Sequence, residues 1–164
     1  MSSELKNLSC YDPAAIPDAS NLSIGMVVAE WNEDITTSLA QAAIDTLLKH
    51  KVKKENIYIT YVPGSFELPK GTKFLIDNSK LDAIICIGCV IQGETRHFEF
   101  ICQAVSQGIM KLNLNTDIPV IFGVLTTNTR QQAEDRAGGK YGNKGVESAI
   151  AAIKMASLKK NNLK

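Results

Sequence analysis

Apolar residues gather into four short runs, at residues 23–30, 57–62, 81–88 and 119–125. Runs of this length predict strands; the first is continuously apolar, as in the middle of a parallel sheet, and the second, Ile57–Val62, is rich in β-forming residues. Between them the spacing changes to a helical one. Ile35, Leu39, Ala43 and Leu47 recur every four residues after the first run, with Asp34 or Asn32 placed to cap that helix. Leu68, Thr72 and Leu75 mark a second helix, and Cys102, Val105, Ile109 and Leu112 one face of a third over 97–114. After the fourth run, Thr129 and Gln132 have the spacing of a capping box, Gly138-Gly139 stops the short helix, and Val146, Ala149, Ile150 and Ile153 align on a last one. Strand and helix alternate, and each crossover has room for a helix. The prediction is an α/β protein: a four-stranded parallel sheet with helices on both faces and right-handed crossovers.

Residues 1–164 read as a single domain, with 1–21 as an N-terminal arm. Pro13 and Pro17 discourage a helix in that arm. It is either a loose tail or an extended segment docked on a neighbouring subunit. His50, between lysines, reads as a solvated surface residue.

Composition narrows the function. Eighteen basic and 17 acidic residues are interspersed, for a net charge of +1. No field for nucleic acid or an anionic membrane follows from that. No apolar run is long enough to span a bilayer, and residues 1–21 lack the apolar centre of a signal peptide, so a cytoplasmic location is expected. Three of the four cysteines (Cys86, Cys89 and Cys102, but not Cys10) lie in apolar segments, where reduced cysteine packs as a small hydrophobe.

In a parallel sheet, ligands bind past the carboxyl ends of the strands. The third strand ends in Gly88-Cys89-Val90-Ile91-Gln92-Gly93-Glu94-Thr95-Arg96-His97. Gly93, Glu94 and Thr95 precede a helix whose free N–H groups would favour an anion, with an imidazole beside it. An ordinary βα turn is the plain alternative, and neither a Walker nor a dinucleotide glycine pattern is present. Cys86 and Cys89 match CxxC, but odd spacing on a strand sends the two sulfurs to opposite faces. Gly64-Ser65-Phe66-Glu67 offers a hydroxyl, a ring and a carboxylate, a set suited to a polyhydroxylated ligand that carries a ring. Trp31, the sole tryptophan, could stack on a planar heterocycle or pack in an interface. Arg136, Lys140 and Lys144 among glycines read as an anion site or as a neutralised helix end.

Taken together, Val62-Pro63-Gly64-Ser65-Phe66-Glu67-Leu68-Pro69, the 88–98 segment, Pro119-Val120-Ile121-Phe122-Gly123-Val124-Leu125-Thr126 and Arg136-Ala137-Gly138-Gly139-Lys140-Tyr141-Gly142-Asn143-Lys144-Gly145 resemble the lumazine synthase family of the riboflavin pathway. The resemblance covers residues 23–158. It implies a flavodoxin-like three-layer α/β/α sandwich and condensation of 5-amino-6-(D-ribitylamino)uracil with 3,4-dihydroxy-2-butanone 4-phosphate. The products would be 6,7-dimethyl-8-ribityllumazine, phosphate and water, with no metal and no cofactor. By position, Trp31 would stack on the pyrimidine, and Ser65, Phe66 and Glu67 would hold the ribityl chain and ring. Cys89, Val90 and Ile91 would meet the uracil edge through backbone. Glu94 and Thr95 would seat the phosphate, and His97 would carry protons. Phe122 and Arg136 would come from the adjacent subunit of a pentamer, Arg136 to the phosphate, with Lys144 and Glu147 accessory.

Three departures are mild: Trp31 where Phe is common, and Cys89 and Glu94 in place of smaller or hydroxyl residues. The compact 138–143 linker resembles that of members whose pentamers close into an icosahedral shell able to enclose riboflavin synthase. Two rival readings are a flavin or nucleotide carrier, and a shell protein with an inactive pocket.

Overall fold

The computed structural model describes residues 7 and 9–162. Strands β1 (Ile24–Ala29), β2 (Ile57–Val62), β3 (Ala83–Ile91) and β4 (Val120–Thr127) form one parallel sheet in the order β2-β1-β3-β4. The period of two is visible in the core. Ile24, Met26, Val28, Ile85, Ile87 and Cys89 face one layer, while Val27, Ala29, Ile84 and Cys86 face the other. Helices α1 (Glu33–Lys49) and α5 (Lys144–Asn162) cover the first face through Leu39, Ala43, Leu47, Ala149 and Ile153. Helices α2 (Leu68–Asn78) and α3 (His97–Asn115) cover the second through Leu68, Val105 and Ile109. This is a three-layer, flavodoxin-like α/β/α sandwich. Each fully buried aliphatic side chain contributes about 1.5–3 kcal/mol.

Several details differ from the sequence reading. β3 runs on to Ile91, because β4 continues beside it as far as the Ile91–Thr127 pair. On its other edge β3 loses its partner early, since the β1 pairing ends at Val28 and Ile87. The buried face of α3 uses Ile101 with Val105, Ile109 and Leu112, and leaves Cys102 only half-buried. Asn32 holds the cap position of α1, yet its side chain makes no capping bond. At α4 (Arg130–Arg136), Thr129 accepts from the Gln132 amide as expected. Gln132 reaches back one residue further than a capping box does, to the Asn128 N–H. The glycines after α4 build a small hairpin, β5 (Ala137–Gly139) with β6 (Gly142–Asn143), where Gly138 (φ 113) and Gly142 (φ 87) take left-handed backbone.

The described part of the arm lies on its own chain. Asp12 caps a single 3-10 turn, Pro13–Ala15, and Ala19 and Leu22 enter the core beside α1. The Tyr11 hydroxyl meets His50 Nε2 at 3.0 Å. His50 is therefore half-buried under the arm, not simply solvated. Residues 1–6 and 8 of the expected N-terminal arm lie outside the described residues.

Candidate active site

The sheet order reverses between β1 and β3, and a cleft of about 730 Å³ opens past their carboxyl ends. Trp31, Asn32, Gly64, Ser65, Phe66, Glu67, Cys89, Val90, Ile91, His97 and Ile101 line it. Eight of these were expected from the sequence: Trp31, Ser65, Phe66, Glu67, Cys89, Val90, Ile91 and His97.

Trp31 lies two residues past the β1 end, anchored by N–H bonds from Glu30 to the Val62 carbonyl and from Trp31 to the Pro63 carbonyl. Its ring is 74% exposed, an unusual state for the largest apolar side chain. After β2, a 3-10 turn over Ser65–Glu67 turns Phe66 outward, 57% exposed, and Ser65 inward, 6% exposed. Ser65 Oγ is buried beside Gly88 and has no hydrogen-bond partner among the described residues. Leaving a buried hydroxyl unpaired is costly, and Ser65 is one of the residues that line the cleft. Glu67 and Trp31 crowd over Gly64: a Cβ there would lie 3.2 Å from Glu67 Oε2 and 3.4 Å from Trp31 Cδ1.

β3 supplies the floor. Residues 89–91 are bonded to β4 but run past the end of β1, so their β1-side edge opens into the cleft. His97 is the first residue of α3, four before Ile101, and both project from the same helix face into the cleft. The α3 N-terminus has no side-chain cap from Arg96, while Thr95 Oγ1 accepts from the His97 N–H at 3.4 Å. Glu94 and Thr95 thus lie between two lining residues, Ile91 and His97, without lining the cleft themselves.

Burial disfavours the thiolate form of the cysteines on β3. Burial pushes the Cys89 thiol up to about 11; the nearby Asp34 adds to this and Arg130 opposes it. Burial pushes Cys86 up to about 12, partly offset by its Thr72 hydroxyl partner. Both stay protonated near neutrality, and they face opposite layers as expected.

Phe122, Arg136 and Lys144 do not reach this cleft. Phe122 is half-buried on the edge strand β4, opposite Cys86, against the α2/α3 layer. Arg136 closes α4, where Nη1 donates to the Tyr141 carbonyl at 2.8 Å and Nη2 pairs with Glu147 Oε1 at 2.6 Å. Lys144 meets the other Glu147 oxygen at 3.2 Å. Two cations share one carboxylate, which leaves a half-buried excess of positive charge. The β5–β6 hairpin that links Arg136 to Lys144 is clamped by Ser38 Oγ on the Ala137 carbonyl (2.6 Å) and by Ser9 Oγ on the Asn143 N–H (2.5 Å).

Asn32 and Gly64 lie at strand ends that the sequence marks for ligand binding but were not named as site residues, and Ile101 was missed. Asn32 read as a helix cap, and Ile101 was displaced by its neighbour Cys102 in the helical count.

A doubly wound sandwich with an aromatic-flanked cleft at its switch point, an unbonded hydroxyl and an imidazole at a helix start has the form of a flavodoxin-like α/β enzyme. The sequence profile of the 6,7-dimethyl-8-ribityllumazine synthase family matches residues 21–160. Proteins named 6,7-dimethyl-8-ribityllumazine synthase are similar along nearly their whole length. That of Parabacteroides distasonis is 57% identical over 96% of this chain and 99% of its own. That of Cytophaga hutchinsonii is 59% identical over 94% and 97%, and that of Porphyromonas gingivalis 52% over 98% and 99%. The chain belongs to the 6,7-dimethyl-8-ribityllumazine synthase family, and is an enzyme of that family, a transferase.

Proposed function

We propose that this chain condenses 5-amino-6-(D-ribitylamino)uracil with 3,4-dihydroxy-2-butanone 4-phosphate to give 6,7-dimethyl-8-ribityllumazine, phosphate and water, the penultimate step of riboflavin biosynthesis. The observation that carries this reading is the composition of one cleft. An exposed indole face, a hydroxyl and a carboxylate, an open strand edge and His97 converge there. A pyrimidine would lie on Trp31 with its edge on the backbone of residues 89–91. The ribityl hydroxyls would meet Ser65 and Glu67, beside Phe66.

Holding the amine against the ketone makes the first step effectively unimolecular, an advantage of about 7–11 kcal/mol. His97 would move protons as the amine adds to the carbonyl, water leaves to form the imine, and phosphate is eliminated. Ring closure then expels the second water. The Glu94–Thr95 turn before α3 would seat the phosphate, and Arg136 would stabilise it as it departs. Every step is proton transfer, addition or elimination, so the reading draws on neither a metal nor an organic cofactor.

In a single chain Arg136, Lys144 and Phe122 are remote from the cleft, whereas Trp31 and Phe66 stand uncovered. α3 also displays Phe100, Met110 and Leu114, at 62, 59 and 79% exposure. These features support a homo-oligomer in which the neighbouring subunit completes each site with Phe122, Arg136 and Lys144; that it is a pentamer follows from the family resemblance. Closure of pentamers into an icosahedral shell, with riboflavin synthase as a partner, belongs to the same proposal, as does a cytoplasmic location. Among the described residues no helix is long and apolar enough to cross a membrane.

The test is to incubate the purified protein with both substrates. The absorbance and fluorescence of the lumazine should grow in step with released phosphate. A flavin-loaded, yellow protein that forms no lumazine, where a known synthase does, would contradict the reading and favour a carrier.

A further inference from the structure

Asn32 is one of two described non-glycine residues with left-handed backbone, at φ 58 and ψ 49. Asparagine tolerates this region better than most residues, but still at a cost. The Asn32 carbonyl accepts the Ile35 and Thr36 N–H groups at the start of α1, but the side chain makes no capping bond there. Instead Asn32 Nδ2 donates to the Cys89 carbonyl at 2.9 Å. That carbonyl lies two residues beyond the last β1–β3 pair, where the β1 ladder no longer supplies a donor. The Asn32 amide therefore takes the place of a missing strand. It ties the turn that carries Trp31 to the free edge formed by residues 89–91, and Asn32 itself lines the cleft between them.

Under the function proposed above, we infer that Asn32 is a positioning residue for the pyrimidine half of the reaction. Trp31 fixes the plane of the heterocycle and the backbone of residues 89–91 reads its edge. The Asn32 amide sets the distance between those two surfaces. It also occupies the Cys89 carbonyl, so that the ring meets the remaining groups of the edge in one register. The butanone phosphate, seated at the α3 N-terminus, makes no use of this contact.

Two substitutions separate the hydrogen bond from the backbone. Asn32→Asp keeps the shape but sets a carboxylate against a carbonyl. Asn32→Gly removes the amide and accepts φ > 0 without strain. Both should raise KM for the ribitylaminouracil, and the Kd of the ribityllumazine product, by about 10-fold or more, the scale of one lost hydrogen bond. KM for the butanone phosphate should stay within about 2-fold, and Asn32→Gly should melt near the wild type. Wild-type KM for the uracil in both variants, or an equal rise for both substrates, would overturn the inference. A wild-type protein that forms no lumazine would overturn the proposed function instead. Product binding, titrated by fluorescence, would then still report whether Asn32 sets the pocket.

Discussion

At the scale of single residues, the proposed chemistry rests on His97. It stands at the start of α3 and shares the cleft with Trp31, Ser65 and Glu67. A proton carrier typically contributes 10²–10⁴-fold, and positioning survives its removal. His97→Ala should therefore lower kcat by about 10²-fold or more and leave measurable turnover. A kcat equal to the wild type would remove His97 from the mechanism. The residues that announced this site in the sequence were those whose chemistry is out of place in a βα turn: one tryptophan, a Ser-Phe-Glu triplet, a histidine. Asn32 gave no such signal, since asparagine before a helix has an ordinary reading as a cap. Its left-handed backbone and its bond to a strand 57 residues away exist only in the folded chain.

Elements were legible wherever burial decides them. Alternation of apolar runs with helical spacing located the four strands of the sheet and their crossovers, because β1 and most of β3 are buried on both faces; the edge strand β2 is largely exposed and was legible from its β-forming residues instead. Pairing partners were less visible: β3 gains three residues only because β4 extends beside it. The hairpin at residues 137–143 was hidden by its glycines, which read simply as a helix stop. Immediately after it, α5 begins against α1, and a Cβ on Gly145 would drive into the Leu39 carbonyl. Gly145→Ala should destabilise the fold by about 1–3 kcal/mol through overpacking. Gly93→Ala, with nothing within 4 Å of the new Cβ, should leave stability nearly unchanged. Equal denaturation midpoints for the two variants would show that α5 can shift away from α1.

The arm offers a second check at this scale. Burial, and then the neighbouring Lys49, hold His50 below the ordinary histidine value of 6.5. The folded state thus binds its proton less readily than the unfolded state. The stabilising contribution is present above about pH 6.5 and is lost as pH falls through the lower folded value. Between pH 7.5 and 5 the wild type should lose more stability than His50→Gln, which cannot titrate. Parallel curves in chemical denaturation would place His50 outside the linkage. The exposed Lys51–Asp18 pair nearby contributes little by comparison.

For the whole molecule, the central proposal is that one chain is not a complete site. Its cleft bears Trp31, Glu67 and His97, while its Arg136 is held by Glu147 and the Tyr141 carbonyl, away from that cleft. Sequence spacing could reveal both halves but not their separation in space, which follows from β4 and α4 lying off the cleft. The direct measurement is complementation. Glu67→Ala damages the cleft and Arg136→Ala removes the cation, so each variant alone should be nearly inactive. Co-expressed in equal amounts and purified as mixed oligomers, they should recover lumazine formation at about a quarter of the wild-type sites, where an intact cleft faces an intact arginine. Activity no higher than the mean of the two separate variants would contradict a site shared between subunits.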